Sequence, residues 1–361
     1  MKSNVPVEIL QNIFEIYNHD IKSLHSTLLV NRYWARVVVC ILWRYPLEFA
    51  STFTDSNCVS KKLLDVYRRC IKSEELLFDY PTFLKRLNWK YLKYEHDGKQ
   101  IFQMLLQKSK CLTHLTIDSY NNHIGIYENF DIILNEEILQ NPFLKKIKIL
   151  EISDLIPKNL LILSKSCNYI ETLTIECVGE NQEIFHFIQF QYNLKNLFIL
   201  YSFPSFKNSL NFNPHLLTNI KFINRNDHYF NHSLDILKVC SKLENLEFYK
   251  WNILLNESQE FSKIHFSNLK SLKFEYSELP FTTLKEIIEI NGSNLKELLF
   301  IYENYNVYEL ELLSESICKS CRLSFLTLQV YRDNSGKCRN FIKNLEKSPI
   351  NIVTILDVLN R

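Results

Sequence analysis

A short phrase, apolar-x-x-apolar-x-apolar, returns nine times along the chain and limits what the chain can fold into. It stands at Leu112-x-x-Leu115-x-Ile117, Leu144-x-x-Ile147-x-Ile149 and Ile170-x-x-Leu173-x-Ile175. It continues at Leu194-x-x-Leu197-x-Ile199, Leu217-x-x-Ile220-x-Phe222 and Leu243-x-x-Leu246-x-Phe248. The last three are Leu269-x-x-Leu272-x-Phe274, Leu295-x-x-Leu298-x-Phe300 and Leu323-x-x-Leu326-x-Leu328. First positions lie 32, 26, 24, 23, 26, 26, 26 and 28 residues apart, a period typical of stacked repeats. Alternation inside the phrase predicts a short strand. The intervening stretches Ser233 to Cys240 and Thr283 to Glu289 carry a helical pattern. One such unit cannot hide its leucines alone. Stacked units can, which predicts an α/β solenoid with parallel strands inside and helices outside.

Side chains alternate along a strand, so the third, fifth and seventh positions of the phrase are expected on the concave face. Phe198, Leu200, Ile223, Tyr249 and Ile301 fall in those columns among Lys148, Lys221, Glu247 and Lys273. They form the candidate target-binding face, an apolar patch rimmed by both charge signs. A slip of one residue in register would exchange the two faces.

At 361 residues the chain is long for a single core, so a small module beside a larger one is expected. Lys+Arg 42 against Asp+Glu 40 gives +2, which points to neither nucleic acid nor a membrane as partner. With 5 glycines and neither GxGxxG nor GxxxxGK[ST], phosphate-cradling loops are disfavoured. The longest apolar run, Val37 to Trp43, is too short to span a bilayer. The ten cysteines, with no apolar leader ahead of them, read as reduced thiols in the cytosol or nucleus. Cys318-x-x-Cys321 has no second metal-spaced pair, and His228 and His232 fall in a loop-like stretch. GxSxG and HExxH are absent too, so no catalytic residue, metal or cofactor is expected.

The first forty-six residues form a separate pattern. Pro6 suits a first helical position, with Ser3 or Asn4 upstream as a cap. Ile9, Ile13 and Ile16 make one stripe, and Leu10, Phe14 and Tyr17 the next. Asp20 can cap a second helix carrying Ile21, Leu24 and Leu28. A third runs from near Asn31 through Trp34, Val37, Val38, Ile41 and Leu42 to Trp43, and Pro46 ends it. Three helices of this length hold more apolar surface than they can hide, so the rest of the chain or a partner must cover it.

Val5-Pro6-Val7-Glu8-Ile9-Leu10-Gln11-Asn12-Ile13-Phe14, then Leu28-Leu29-Val30-Asn31-Arg32-Tyr33-Trp34, then Leu42-Trp43-Arg44-Tyr45-Pro46, resembles an F-box. Val5 departs from the family's usual leucine, trimming one carbon from an apolar contact. The resemblance implies docking on a Skp-type adaptor and, through it, on a cullin. It implies that Pro6, Ile9, Leu10, Ile13, Phe14, Leu28, Leu29, Val30 and Trp34 form or support the docking surface, with Phe14 and Trp34 as its anchors. Cys111, Cys167, Cys240 and Cys321, each just before a strand, are similar to the cysteine-containing leucine-rich repeats found behind F-boxes. The Asn or Cys that those repeats carry at the ninth position is missing, since Tyr120, Ile152, Val178, Ser202, Arg225, Trp251, Ser277, Glu303 and Tyr331 stand there. An irregular solenoid is therefore expected.

The organisation expected is an F-box over 1–46, a linker or degenerate first repeats over 47–99, and a repeat domain with a C-terminal cap over 100–361. Within the linker, Leu63 to Leu77 has a helical pattern and Phe83 to Trp89 resembles a degenerate repeat. Asn340 to Leu359 is expected to cap the last edge with a helix and a strand. The function implied is recruitment of a target protein, of unknown identity, to a ubiquitin ligase. The rival is a leucine-rich-repeat scaffold, without a ubiquitin-ligase role, whose N-terminal helices are a folding cap.

Overall fold

The computed structural model describes residues 5–18, 20–48, 56–72, 74–118, 138, 141–153, 157–177, 182–201, 216–224, 234–251, 255–277, 279–302, 307–320, 323–330 and 353–357. The chain divides into two compact units, Met1–Tyr169 and Ile170–Arg361.

The first unit opens with helices α1 (Val7–Ile16), α2 (Ile21–Leu28) and α3 (Arg32–Leu42). Pro6 is the residue before the helix rather than its first, and no side chain caps α1. The other two starts follow the expected chemistry. Asp20 accepts from the Ser23 N–H at 3.1 Å, and Asn31 accepts from the Trp34 N–H at 2.9 Å. Helix α3 ends at Leu42, ahead of Pro46. Helix α4 (Ser56–Ile71) starts earlier and stops sooner than the Leu63-to-Leu77 pattern suggested.

Strands β1 (Arg86–Asn88), β2 (His114–Asp118) and β3 (Ile149–Ser153) then pair in parallel, with helix α5 (Gly98–Lys108) between the first two. Leu84-x-x-Leu87-x-Trp89 is thus a true first repeat, in register with Leu112-x-x-Leu115-x-Ile117. The second repeat corrects the sequence reading. Leu150 pairs with Leu115 and Ile152 with Ile117, so the phrase there is Ile147-x-x-Leu150-x-Ile152. The slip of three residues arose because Leu144, Ile147 and Ile149 satisfy the same apolar template. Leu144 instead lies in a 3-10 turn, Pro142–Lys146, and is buried from there.

The second unit, which begins just after helix α6 (Pro157–Ser166), holds parallel strands β4 (Thr172–Cys177), β5 (Asn196–Tyr201), β6 (Asn219–Ile223) and β7 (Asn245–Tyr249). They continue as β8 (Ser271–Glu275), β9 (Glu297–Tyr302), β10 (Phe325–Val330) and β11 (Val353–Asp357). Helices α7 (Gln182–Gln189), α8 (Leu255–Phe261), α9 (Phe281–Asn291) and α10 (Val307–Ser320) fill the crossovers, and a 3-10 turn, Asp235–Val239, stands where Ser233 to Cys240 was expected to be helical. The strand expected near the C-terminus is β11. The helix proposed beside it lies outside the described residues. The architecture is an α/β, solenoid-like array of parallel strands and helices.

Inward columns make the core. Leu173, Leu197, Ile220, Leu246, Leu272, Leu298 and Leu326 are all essentially inaccessible. The next column changes from Ile175 and Ile199 to Phe222, Phe248, Phe274 and Phe300. Phe222, Phe248 and Phe274 stack face to face with centroids 5.1 and 5.0 Å apart. Neighbouring strands lie about 4.8 Å apart, so equivalent rings on successive strands meet at stacking distance. After β7 and β8 the backbone turns through left-handed residues, Lys250 (φ 52°) and Tyr276 (φ 53°). These turns bury Trp251 and Ser277, where the Trp251 N–H donates to Ser277 Oγ at 3.0 Å. That contact is one rung at the ninth position, made by serine where asparagine or cysteine was missed. Among the described residues, no helix is long and apolar enough to cross a membrane.

Candidate docking surfaces

The N-terminal helices bury their own core. Leu10 and Phe14 (each 2% exposed) pack with Leu24, Val37, Val38 and Ile41, and Leu28, Trp34 and Leu42 close the edge of that cluster. Phe14 meets Trp34 edge-on at 5.2 Å between centroids. Leu10 and Phe14 therefore do not lie on a docking surface, and Phe14 is no surface anchor. On α1 the stripe holding them faces inward, and the stripe beside it faces out. Leu28 and Trp34 are half-buried and bridge core and surface.

What stays open is apolar. Ile9 is 49% exposed, Ile13 42%, Leu29 78% and Val30 57%, with Pro6 exposed as well. Val5 and Ile16 extend the α1 stripe at both ends. The geometry is held by polar ties elsewhere on the module. Tyr33 donates its hydroxyl to the Val5 carbonyl at 2.9 Å, fixing the start of α1 beside α3. Arg44, after α3, pairs with Glu15 of α1 at 2.5 Å. A groove of about 240 Å³ between α1 and α3 is lined by Val7, Tyr33, Val37 and Cys40 among others.

On the outer face of the second unit's sheet, Phe198, Ile223 and Tyr249 are half-buried, while Leu200 (3%) and Ile301 (9%) are buried. Leu200 and Ile301 are therefore not open for a target, although their columns lie on the face expected. Leu150, the seventh position counted from Leu144, is a core residue in the register set by its pairing with Leu115.

Between those apolar positions the face carries polar ladders that the repeat reading did not name. Asn245 donates from Nδ2 to Asn219 Oδ1, Asn219 to Asn196 Oδ1 at 2.5 Å, and Asn196 to Thr172 Oγ1 at 2.9 Å. Lys221 pairs with Glu247 on the adjacent strand. Lys273 pairs with Glu297 at 2.8 Å, and Ser271 donates to the same carboxylate at 2.6 Å. Burial pushes the Glu297 carboxyl up, yet Lys273 and Ser271 hold it below the ordinary carboxylate range. The signal was present in the sequence as asparagine at the third position of three successive phrases, Asn196, Asn219 and Asn245.

The first unit has its own network on the matching face. Arg86 joins Glu48 at 2.8 Å and donates from Nε to His114 Nδ1 at 2.8 Å. His114 Nε2 lies 3.2 Å from Glu151, which also accepts from Thr116 at 2.9 Å. The accepting Nδ1 leaves the imidazole proton on Nε2, aimed at Glu151. The bond from His114, with that from Thr116, keeps the Glu151 carboxyl below its ordinary range despite its partial burial.

Among the described residues no group of three or more His, Cys, Asp or Glu is placed to hold a metal ion. Cys321, His228 and His232 lie outside them. Comparison with protein-family models and with curated proteins finds no match.

Proposed function

We propose that the chain is the target-recruiting subunit of a Skp–cullin–F-box ubiquitin ligase, its N-terminal helices docking on a Skp-type adaptor and its leucine-rich repeats holding a target protein. The observation that carries this reading is the open row Ile9, Ile13, Leu29 and Val30 on a module whose core is already closed by Leu10 and Phe14. A closed core makes the module a rigid platform. Large apolar side chains left outside it resemble the anchors of a helical docking interface. The sequence resemblance to an F-box supplies the partner, and no catalytic group is needed in this chain.

A second reading has an observation of its own. The Arg44 carbonyl accepts the N–H groups of Lys85 and Arg86 at 3.0 and 3.3 Å, so the end of the module serves as an edge for the first strand. This favours a folding cap on a scaffold with no ubiquitin-ligase role. Cap and docking module are separated by the adaptor. Co-purification with a Skp-type adaptor should be stoichiometric for the wild-type chain and lost for Ile9→Asp/Leu29→Asp, which leaves the core alone. A chain that folds and ignores the adaptor leaves the cap reading.

A further inference from the structure

We propose that the outer face of the second unit's sheet holds a site for an arginine side chain of a target protein, built from Glu275, Tyr249 and Tyr276. The inference rests on the reading of that face as the target-binding surface, and names the chemistry that the face selects. Of the three carboxylates on β6 to β9, two are neutralised on the face itself. Lys221 pairs with Glu247, and Lys273 with Glu297, to which Ser271 also donates. Glu275 is the third. It is half-buried between Tyr249 and Ile301 of the neighbouring strands, and among the described residues its carboxylate has no hydrogen bond or ion pair.

Two tyrosines adjoin Glu275. Tyr249 is its partner in strand register, one strand spacing of about 4.8 Å away, and Tyr276 follows it in the chain. Strand alternation would send residue 276 to the opposite face. The left-handed turn at Tyr276 (φ 53°) instead leaves its ring against that of Tyr249, with centroids 5.9 Å apart and planes at 82°. The two rings make a corner rather than a closed stack, and Tyr276 stays 37% exposed. Tyr249 already has a cation near its ring, since Lys221 Nζ lies 6.0 Å from the centroid. Lys250, exposed at the equivalent turn one strand away, makes no ion pair with Glu275.

A half-buried carboxylate without a cation is an unfavourable arrangement that a bound cation relieves. An arginine guanidinium suits this one best. Its fork donates two parallel N–H bonds to a carboxylate while its plane lies on a tyrosine ring, whereas a lysine ammonium offers the charge without the plane. Phe198 and Ile223, half-buried on β5 and β6, continue the surface beyond Tyr249. Ile223 and Glu275 are two strand spacings apart, about 10 Å, which an extended chain crosses in about three residues. The occupant is therefore an extended target segment carrying an arginine and, about three places away, an apolar residue.

The test uses the full chain without any adaptor. A displayed library of random heptapeptides is selected on wild type and on Glu275→Gln. The enriched peptide is then titrated into wild type, Glu275→Gln, Tyr276→Asn and Glu244→Gln, with thermal melts confirming that each is folded. Asparagine at 276 removes the ring and tolerates the left-handed turn. Expected are arginine enrichment on wild type that disappears on Glu275→Gln, a loss of about tenfold in affinity for Glu275→Gln, and a smaller loss for Tyr276→Asn. Glu244→Gln removes the same charge from a carboxylate already held by Lys270 at 2.8 Å, and should bind as wild type does. Absence of arginine enrichment, undiminished binding by Glu275→Gln, or equal binding after lysine replaces the arginine overturns the proposal. A chain that binds a Skp-type adaptor yet enriches no arginine peptide would overturn this inference alone and leave the recruiting role standing.

Discussion

The main-chain carbonyl of Arg44 accepts the N–H of Lys85 at 3.0 Å, the same contact that Lys85 makes to Thr113 and Thr113 to Lys148 along the rim of the first sheet. The last residues of the helical module thus stand where a preceding repeat would. Trp43 reinforces the junction, with its ring 4.1 Å from that of Tyr80 and 5.7 Å from that of Tyr67. A module built into the array in this way can be both a cap and a platform. Substitutions must therefore be sorted by whether they strike its core or its open face.

Core and face should separate cleanly in denaturation. Phe14→Ala removes a fully buried ring that touches Trp34 and should cost about 3–5 kcal/mol of module stability. Leu10→Ala should cost about 2–5 kcal/mol. Ile9→Asp, at an exposed position, should change stability by about 0.5 kcal/mol or less. Urea unfolding followed by hydrogen exchange of the α1–α3 amides measures all three. A stable Phe14→Ala module would contradict the packing described.

The amide ladder should be energetically coupled. Asn219 both donates to Asn196 and accepts from Asn245, so Asn219→Ala leaves the half-buried Asn196 amide and the exposed Asn245 amide each short of a partner. The expected loss is about 0.5–1.5 kcal/mol. In a double-mutant cycle, Asn219→Ala and Asn196→Ala should be non-additive. Additive losses would mean that the rungs act as separate surface contacts.

How much of this was legible depends on what each residue shares with its equivalents in other repeats. Leu115, Leu197 and Phe248 could be placed because stacked repeats need an apolar residue at the same point each time. Ile147 could not, because Leu144 three residues earlier fits the same template, and only pairing with Leu112's strand decides between them. Leu10 and Ile9 are adjacent, similar and equally helical. Which stripe of α1 turns inward is set by α2 and α3, and sequence periodicity shows only that two stripes exist. The asparagine ladder lies at the third position of the phrase rather than at the ninth, and an asparagine on an exposed strand face carries no apolar pattern that would mark it as paired.

Acid should weaken the first unit through Glu151. Its carboxyl is held below the ordinary value of 4.5 by the bond from His114 and then by Thr116, with burial opposing. A lowered acid stabilises the fold at pH above its ordinary value, and that contribution is lost as pH falls through the lowered one. Glu151→Gln should therefore be less stable than wild type at neutral pH, and the gap should close as the pH falls below the ordinary value of 4.5 and through the lowered one. Denaturation midpoints for both chains across this range provide the check. A gap that persists unchanged into acid would show that the charge is not the source.

Thiol labelling should follow burial. Cys167 and Cys240 are enclosed in apolar surroundings that push both thiols up to about 12, so neither presents a thiolate at neutral pH. Cys111 is exposed. Mass spectrometry after brief alkylation of the native chain should find Cys111 modified and Cys167 and Cys240 intact, with all three modified after unfolding. Early modification of Cys240 would mean that the second unit opens far more readily than its core packing allows.

The most direct test of the docking role is the affinity of the chain for a purified Skp-type adaptor, measured for wild type, Ile9→Asp/Leu29→Asp and Lys270→Gln, with folding checked by melting. The account predicts tight binding by wild type and Lys270→Gln, and a loss of at least about a hundredfold (about 2.7 kcal/mol) in the double variant without loss of fold. A wild-type chain that is folded and shows no affinity for the adaptor, or a double variant that binds undiminished, would contradict it.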